Sequence, residues 1–228
     1  MPRSTSRGIA ALAAGLVAAL LFTTRGMFGS APTITTLPDP ALDQPVAAAK
    51  GEQTIVLAGG CFWGVQAVFQ HVKGVVSATS GYAGGKVPSP NYYLVGTGRT
   101  GHAESVKIVF DSSQVSLGQL LKVFFSVAHD PTELNRQGPD VGTQYRSAVF
   151  YTSDAQRRVV DGYIAQLAKA KSFKDPIVTE VAPLKAFYDA EDYHQNYYNL
   201  HPNEPYIVIN DRPKVEALRT QFAALWKD

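Results

Sequence analysis

From residue 53 onwards, short apolar runs alternate with segments in which apolar residues recur at helical spacing. The apolar runs predict β-strands at residues 54–58, 75–79, 102–110, 144–151 and 177–182. Helical spacing predicts helices at residues 65–72, 117–129, 154–171, 190–200 and 214–226. The strands are too few, and the irregular stretches too long, for a doubly wound sheet. The predicted fold class is therefore α/β (α+β), a two-layer sandwich of a mixed β-sheet with packed helices and long active-site loops.

The N-terminal segment has the pattern of an export signal. Arg3 and Arg7 precede an uninterrupted run of apolar or small residues at 8–22, which is short for a membrane span. Small residues at 29–31 offer a cleavage site, but Pro32 would follow the scissile bond, so an uncleaved membrane anchor is the alternative. A buried globular helix is a third interpretation, disfavoured because the run has no polar face. We assign residues 1–31 to a signal peptide or membrane anchor and expect an exported protein, periplasmic or extracytoplasmic.

Residues 32–52 separate this segment from the predicted domain. Four prolines fall in this stretch and no apolar period runs through it, which predicts a disordered linker. The folded domain is then expected at residues 53–228, which is long enough to bury a core of its own.

Composition narrows the function classes. The formal net charge is +2 and the charged residues are dispersed, so nothing indicates a nucleic-acid partner. The single cysteine excludes an intramolecular disulfide and a multi-cysteine zinc site. No metal or organic cofactor is indicated, and we expect a monomer.

That cysteine, Cys61, lies where a predicted strand turns into a predicted helix. Unpaired N–H groups and the dipole at a helix N-terminus favour an anion, here the thiolate, so nucleophilic sulfur chemistry is the first hypothesis. The alternative is a small buried hydrophobic residue. Two glycines before Cys61 allow a tight turn, and the rings of Phe62 and Trp63 follow it, which favours the chemical interpretation.

Glu104 is a candidate acid. Strand alternation puts it on the same face as Val106, Ile108 and Phe110, so burial would raise its pKa and keep it protonated near neutral pH. The alternative is a solvated position at the rim of the strand, paired with a cation such as Lys107.

A nucleophilic cysteine can work with a base or attack an oxidised centre. The five histidines form no metal-binding spacing, although His102 or His194 could serve as the base of a Cys/His thiol hydrolase. Attack on an oxidised centre would instead leave a sulfenic acid, which another thiol can reduce.

Four motifs of this sequence resemble those of one enzyme family. Gly60-Cys61-Phe62-Trp63-Gly64, Gly101-His102-Ala103-Glu104, the run from Asp140 to Ser147, and Glu191-Asp192-Tyr193-His194-Gln195 stand in the order of A-type methionine sulfoxide reductases. The resemblance covers about residues 54–205. It implies reduction of methionine S-sulfoxide, protein-bound or free, in the repair of oxidised proteins.

The resemblance also implies roles for individual residues. Cys61 would attack the sulfoxide sulfur, and Glu104 would donate a proton to the sulfoxide oxygen. Tyr92 and Tyr145 match the two tyrosines that hold this oxygen. Phe62 and Trp63 match the aromatic walls that receive the methyl group of the substrate. Asp140 matches a residue around the active site, to which we assign a supporting role in thiol exchange.

Two positions depart from the family pattern. Gln66 stands where many members have glutamate, outside the reacting set. A second, resolving cysteine is missing, and Gly96 stands where some relatives carry one. The Cys61 sulfenic acid would therefore be reduced by an outside thiol, from a thioredoxin-like or glutaredoxin-like protein or a small molecule. The missing cysteine also leaves open a non-catalytic module that only binds oxidised methionine.

Overall fold

The computed structural model describes residues 36–47 and 50–228. Its strands are, in chain order, β1 (Glu52–Gly59), β2 (Val75–Ala83), β3 (Ala103–Asp111), β4 (Arg136–Gln137), β5 (Asp140–Val141), β6 (Ser147–Tyr151), β7 (Glu180–Pro183) and β8 (Phe187–Asp189). Six of them form one sheet in the order β7-β6-β1-β3-β2-β8, and β4 and β5 form a separate ribbon. Neighbours in the large sheet are antiparallel except β6 and β7, which are parallel. The mixed sheet confirms the predicted fold class.

The helices follow the strands closely in the chain. They are α1 (Phe62–Gln70), α2 (Tyr92–Gly96), α3 (Leu117–Val123), α4 (Asp154–Lys169), α5 (Tyr197–Leu200) and α6 (Arg212–Gln221). Ser116 and Gln119 form a reciprocal capping box at α3, and the Ser153 hydroxyl accepts the Gln156 N–H at the start of α4. The Ser-x-x-Gln spacing at both positions is a sequence signature of such caps. π-helical turns follow α3 (Phe124–Ala128) and precede α6 (Ile207–Asp211).

Strand β1 is buried on both of its faces. Ile55 and Leu57 belong to the main apolar cluster, to which helices α1, α3, α4 and α6 contribute. Val56 and Ala58 point to the other face, into a smaller cluster with Phe150. Because a central strand that is covered on both faces needs apolar residues on both, β1 appears in the sequence as a continuous apolar run. The end of this strand is therefore held rigidly, and Cys61 comes two residues after it.

Five predicted elements are wrong in part: the strands expected at 144–151 and 177–182 begin only at Ser147 and Glu180, the helix expected at 214–226 ends at Gln221, and two further elements differ as follows. Residues 190–200 do not form one helix: they contain a short 3₁₀ turn (Asp192–His194), a left-handed residue, Asn196, with φ +56°, and then α5. Strand β2 also continues past its predicted end at Thr79. Gly81 lies inside β2, where a Cβ would overlap the backbone oxygen of Tyr188 on β8, so the position requires glycine. The glycine serves close packing rather than a turn.

Part of the predicted linker is packed against the domain. Leu37 is buried in the main apolar cluster, and the Tyr163 hydroxyl donates to the Pro38 carbonyl oxygen at 2.9 Å. The Asp43 carboxylate accepts the Gly118 N–H at 2.8 Å and the Ser116 hydroxyl at 2.5 Å, at the start of α3. This stretch therefore belongs structurally to the domain, which extends further towards the N-terminus than residue 53.

The predicted signal or anchor, residues 1–31, lies outside the described residues. Within the described ranges, none of the helices has both the length and the apolar character needed to cross a membrane.

Candidate active site

Cys61 lies at the N-terminal boundary of α1, as the sequence predicts. Gly60 before it has φ +89°, and a Cβ at Gly60 would come within 2.6 Å of the Gln137 side chain, so glycine is needed both for conformation and for space. Cys61 is the cap residue of α1, and the residue is 8% exposed. The sulfur is thus held at the helix start with a narrow opening to solvent.

Two backbone N–H groups at the start of α1, which have no partner within the helix, face the side chains of Glu104 and Cys61. The Phe62 N–H donates to Oε2 of Glu104 at 3.1 Å. The Trp63 N–H is directed at the Cys61 sulfur, where it lowers the pKa of the thiol. One helix N-terminus therefore holds both the thiol and the carboxyl group.

Glu104 lies on the buried face of β3, as strand alternation predicts. It is 3% exposed, and Val106, Ile108 and Phe110 on the same face are also buried. Lys107, the suggested rim partner, instead pairs with Asp189 at 2.9 Å. Burial raises the pKa of Glu104 to about 8, against the lowering effect of the Phe62 N–H. The carboxyl group is therefore mostly protonated at neutral pH.

The protonation of Cys61 differs from the expectation. Burial, followed by the carboxylates of Glu104 and Asp211, raises the pKa of the thiol well above its ordinary value. The Trp63 N–H and the Lys214 ammonium lower it, but they do not overcome burial. The helix terminus alone would favour the thiolate, whereas the tertiary environment keeps the thiol protonated in the free protein.

All seven predicted site residues line one cavity of about 290 Å³, the aromatic cavity. Its walls are formed by Cys61, Phe62, Trp63, Tyr92, Glu104, Asp140 and Tyr145, together with Glu204 and Tyr206. The rings lie beside the thiol, and hydroxyl and carboxyl groups complete the wall. The cavity therefore offers both an apolar side and a hydrogen-bonding side.

The two predicted tyrosines come from separate short helical segments: Tyr92 is the first residue of α2, and Tyr145 ends a 3₁₀ turn that begins at Thr143. The Tyr92 N–H donates to Glu191 at 2.9 Å, and the same carboxylate accepts the Tyr82 hydroxyl at 2.8 Å, which anchors α2 to β2. Burial, followed by the Glu104 charge, raises the pKa of Tyr92 and of Tyr145. Both phenols therefore remain hydrogen-bond donors at any physiological pH.

Trp63 is held by residues from the C-terminal third of the chain. Its indole stacks on Tyr197 with ring centroids 3.8 Å apart and an interplanar angle of 8°. Its Nε1–H donates to Nδ1 of His194 at 3.1 Å. These contacts fix the ring as a wall of the cavity.

The candidate bases of a thiol hydrolase are engaged elsewhere. His194 Nδ1 accepts from Trp63, and His102 contacts the Gly85 N–H at 3.2 Å and the Val87 carbonyl oxygen at 2.8 Å. His129 contacts the Phe124 carbonyl oxygen at 3.1 Å and the Ser147 hydroxyl at 2.7 Å, and burial lowers its pKa to about 3. Each of these histidine rings is hydrogen-bonded to a group other than the Cys61 thiol.

Sequence reasoning did not single out Tyr206 or Asp211. The Tyr206 hydroxyl donates to the Asp140 carboxylate. Asp211 is fully buried, its Oδ1 lies 3.2 Å from the Lys214 ammonium, and a Cβ at Gly64 would overlap its carboxylate. Tyr206 immediately precedes the π-helical turn at Ile207–Asp211 and Asp211 ends it, and the spacing of a π-helical turn differs from the α-helical period used to interpret the sequence.

A thiol and a protonated carboxyl group at one helix start, inside a mixed α/β fold, are what a thiol-dependent oxidoreductase needs. The profile of the peptide methionine sulfoxide reductase family matches residues 53–225. A peptide methionine sulfoxide reductase, MsrA 2, of Mesorhizobium japonicum is 58% identical over 79% of this chain and 93% of its own length. The MsrA 2 of Synechocystis is 48% identical over 87% of this chain and 94% of its own.

Solved structures agree. Methionine sulfoxide reductase A of Corynebacterium diphtheriae is 39% identical, with a TM-score of 0.58 over 73% of this chain and 84% of the other. Reduced Mxr1 of Saccharomyces cerevisiae is 35% identical, with a TM-score of 0.60 over 72% of this chain and 92% of the other. The chain belongs to the peptide methionine sulfoxide reductase family, A type. It is an oxidoreductase that reduces methionine sulfoxide, which confirms the resemblance drawn from the four motifs.

Proposed function

We propose that Cys61 reduces the S epimer of methionine sulfoxide by direct attack on the sulfoxide sulfur, with Glu104 as the acid. The observation that carries this proposal is the pairing of the two groups. Both lie at the first turn of α1, both line the aromatic cavity, and the pKa of Glu104 is raised to about 8. A protonated carboxyl beside a nucleophile can supply the proton that the developing oxyanion needs.

The proposed reaction balances within the site. Glu104 protonates the sulfoxide oxygen as Cys61 attacks, and the thiol proton restores the protonated carboxyl. The substrate S–O bond breaks, two electrons pass from the Cys61 sulfur to the substrate sulfur, and methionine leaves. The oxygen ends on Cys61 as a sulfenic acid. The raised pKa of the Cys61 thiol fits this sequence of steps, because Cys61 then loses its proton only after a polar substrate has entered the site.

The other cavity residues would position the substrate. The hydroxyls of Tyr92 and Tyr145 would donate to the sulfoxide oxygen, and their raised pKa values keep them protonated. Phe62 and the fixed ring of Trp63 would receive the methyl group. Specificity for one epimer would follow, because the oxygen and methyl subsites are on different walls.

The catalytic cycle would close with an external thiol. The sequence contains a single cysteine, so the sulfenic acid has no internal thiol to resolve it. One thiol would form a mixed disulfide with Cys61 and release water. A second would then free Cys61 and leave as part of a disulfide. The donor would be a thioredoxin-like or glutaredoxin-like protein, with Asp140 supporting the exchange.

A single-turnover experiment tests the proposal. The protein is mixed with excess methionine S-sulfoxide and no reductant, and we expect about one methionine per chain, with Cys61 as sulfenic acid and no product from the R epimer. Substrate binding without any methionine would instead indicate a module that only binds oxidised methionine. Continued turnover without added thiol would overturn the one-cysteine cycle.

Export of the protein is a further proposal, which rests on the sequence of residues 1–31 alone. Fractionation of cells expressing a C-terminally tagged full-length chain tests it. We expect the tag outside the cytoplasm, in the soluble fraction if the segment is cleaved and in the membrane fraction if it is retained. Recovery from the cytoplasm would contradict export.

A further inference from the structure

Cys61 opens onto a second cavity, of about 380 Å³, which the proposed reaction does not use. Both cavities are lined by Cys61, Asp140 and Tyr206, whereas their other lining residues differ. The hydrogen bond from the Tyr206 hydroxyl to the Asp140 carboxylate joins the two shared side chains. This pair forms a partition between the cavities, and Cys61 lines both of them.

The chemistry of recycling has a directional requirement. When a thiol displaces oxygen from a sulfenic acid, the incoming sulfur and the leaving oxygen lie on opposite sides of the central sulfur. In the proposed reaction the oxygen arrives from the aromatic cavity, where Glu104 and the tyrosines hold it. The side of the sulfur open to the reductant then faces away from that cavity.

We propose that the second cavity is the approach site of the reducing thiol. This inference rests on the proposed function. The thiol sulfur bonds to the Cys61 sulfur as the S–O bond breaks, the oxygen leaves as water with its own proton and the thiol proton, and a mixed disulfide remains until a second thiol attacks it. A reductant that attacks as a thiolate would leave the second proton of this water to be supplied by the site. Substrate and reductant thus reach one sulfur by separate routes.

The walls of the second cavity also indicate which thiols it accepts. Its lining brings together the carboxylates of Asp130, Glu133 and Asp140 and one ammonium, that of Lys214. Glu133 pairs with Arg136 at 3.3 Å and Lys214 with Asp211 at 3.2 Å, so one carboxylate and the ammonium are each partly neutralised and carboxylates remain in excess. The cavity is therefore acidic. It should disfavour a reductant that carries negative charge next to its thiol and admit a neutral or cationic one.

A competition experiment separates the two routes without any mutation. Cys61 sulfenic acid is generated by one turnover, and its reduction by 2-mercaptoethanol is followed with and without methionine sulfone, an unreactive substrate analogue. We expect the sulfone to inhibit methionine formation and to leave the rate of sulfenic acid reduction unchanged. Competitive slowing of the reduction would overturn the inference, because the thiol would then share the aromatic cavity.

Filling the second cavity provides a test by mutation. Asn210 lines it, and Val208, in the same turn, is exposed and lies outside its lining. Asn210→Trp should slow sulfenic acid reduction at least about tenfold by denying the thiol its attack geometry, with methionine formation in the first turnover within about twofold of wild type. The matched control, Val208→Trp, should change neither rate. An equal loss of both rates in Asn210→Trp, or no loss in recycling, would contradict the separate route.

A charge test does not depend on filling the cavity. Glu133 accepts the Gly138 N–H at 2.7 Å, and Glu133→Gln keeps an acceptor of the same size while removing the charge. Relative to wild type, reduction by 3-mercaptopropionate should become roughly twofold faster and reduction by cysteamine roughly twofold slower, the order of effect expected for one solvent-screened charge. Unchanged ratios would refute the predicted selectivity. Failure of the wild-type protein to form methionine at all would refute the proposed function instead.

Discussion

Replacing Glu104 with glutamine should stabilise the protein while removing its chemistry. The carboxyl is buried, and burial raises its pKa from 4.5 to about 8. Glutamine keeps the size and an oxygen that can accept the Phe62 N–H, but it cannot ionise or transfer a proton. The substitution therefore isolates the cost of holding a proton at this position.

The magnitude follows from linkage. The folded pKa lies above the unfolded one, so the stability contributed by the protonated form is complete below pH 4.5 and is lost as the pH rises to about 8. The full loss is about 5 kcal/mol, and about 3 kcal/mol of it has occurred by pH 7. Glu104→Gln should escape this loss and exceed wild type by that amount at pH 7, with the difference closing towards pH 4.5.

Two measurements check the prediction. Denaturant unfolding between pH 4.5 and 8.5 gives the free energy of unfolding, and the single-turnover rate gives the chemistry. We expect the rate to fall by at least about 10²-fold in Glu104→Gln, and in wild type to decline above pH 8 as the acid ionises. Glu216→Gln, an exposed position on α6, is the matched control and should change neither quantity.

Two results would refute this reasoning. If Glu104→Gln is no more stable than wild type at pH 7 to 8, the carboxyl is not buried with a raised pKa. If the variant forms methionine at the wild-type rate, Glu104 is not the acid, whatever its pKa.

Three further predictions concern the oxygen site, the α1 contact and the docked N-terminal stretch. Tyr92→Phe and Tyr145→Phe should each reduce the single-turnover rate by about 10²-fold without loss of stability, because each removes one hydrogen-bond donor to the developing oxyanion. A wild-type rate in either variant would show that its tyrosine does not hold the sulfoxide oxygen. Gly64→Ala should destabilise the protein by about 1–3 kcal/mol in the denaturant assay, because its Cβ would overlap the buried Asp211 carboxylate. In the control variant Gly162→Ala in α4, the Cβ would meet Leu42 at 3.4 Å, so the change should be neutral or stabilising. Asp43→Ala should lower the free energy of unfolding by about 1–2 kcal/mol, because the Gly118 N–H and the Ser116 hydroxyl lose their charged acceptor at the start of α3. Asp39→Ala, at an exposed ion pair with Lys122, should lower it by less than about 1 kcal/mol, and equal effects would indicate that residues 36–47 do not dock as described.

The sequence by itself determined the features that depend on neighbouring residues. The strand that ends before Cys61, the helix that follows it, and the capped starts of α3 and α4 arise from local apolar spacing and capping side chains. Strand alternation was sufficient to put Glu104 on the buried face of β3. The four motifs were sufficient for the family, because each keeps its own residues together in the chain.

Only the tertiary structure decided the protonation of the site and its connections. Whether Cys61 and Glu104 hold protons depends on burial and on charges from distant elements, and burial outweighs the helix terminus at Cys61. The hydrogen bond between Trp63 and His194 joins residues 131 positions apart, and the one between Tyr206 and Asp140 joins residues 66 apart. No local pattern encodes contacts of that separation. The partition between the two cavities is therefore a property of the folded chain, since it exists only once Asp140 of β5 and Tyr206 pack together beside Cys61.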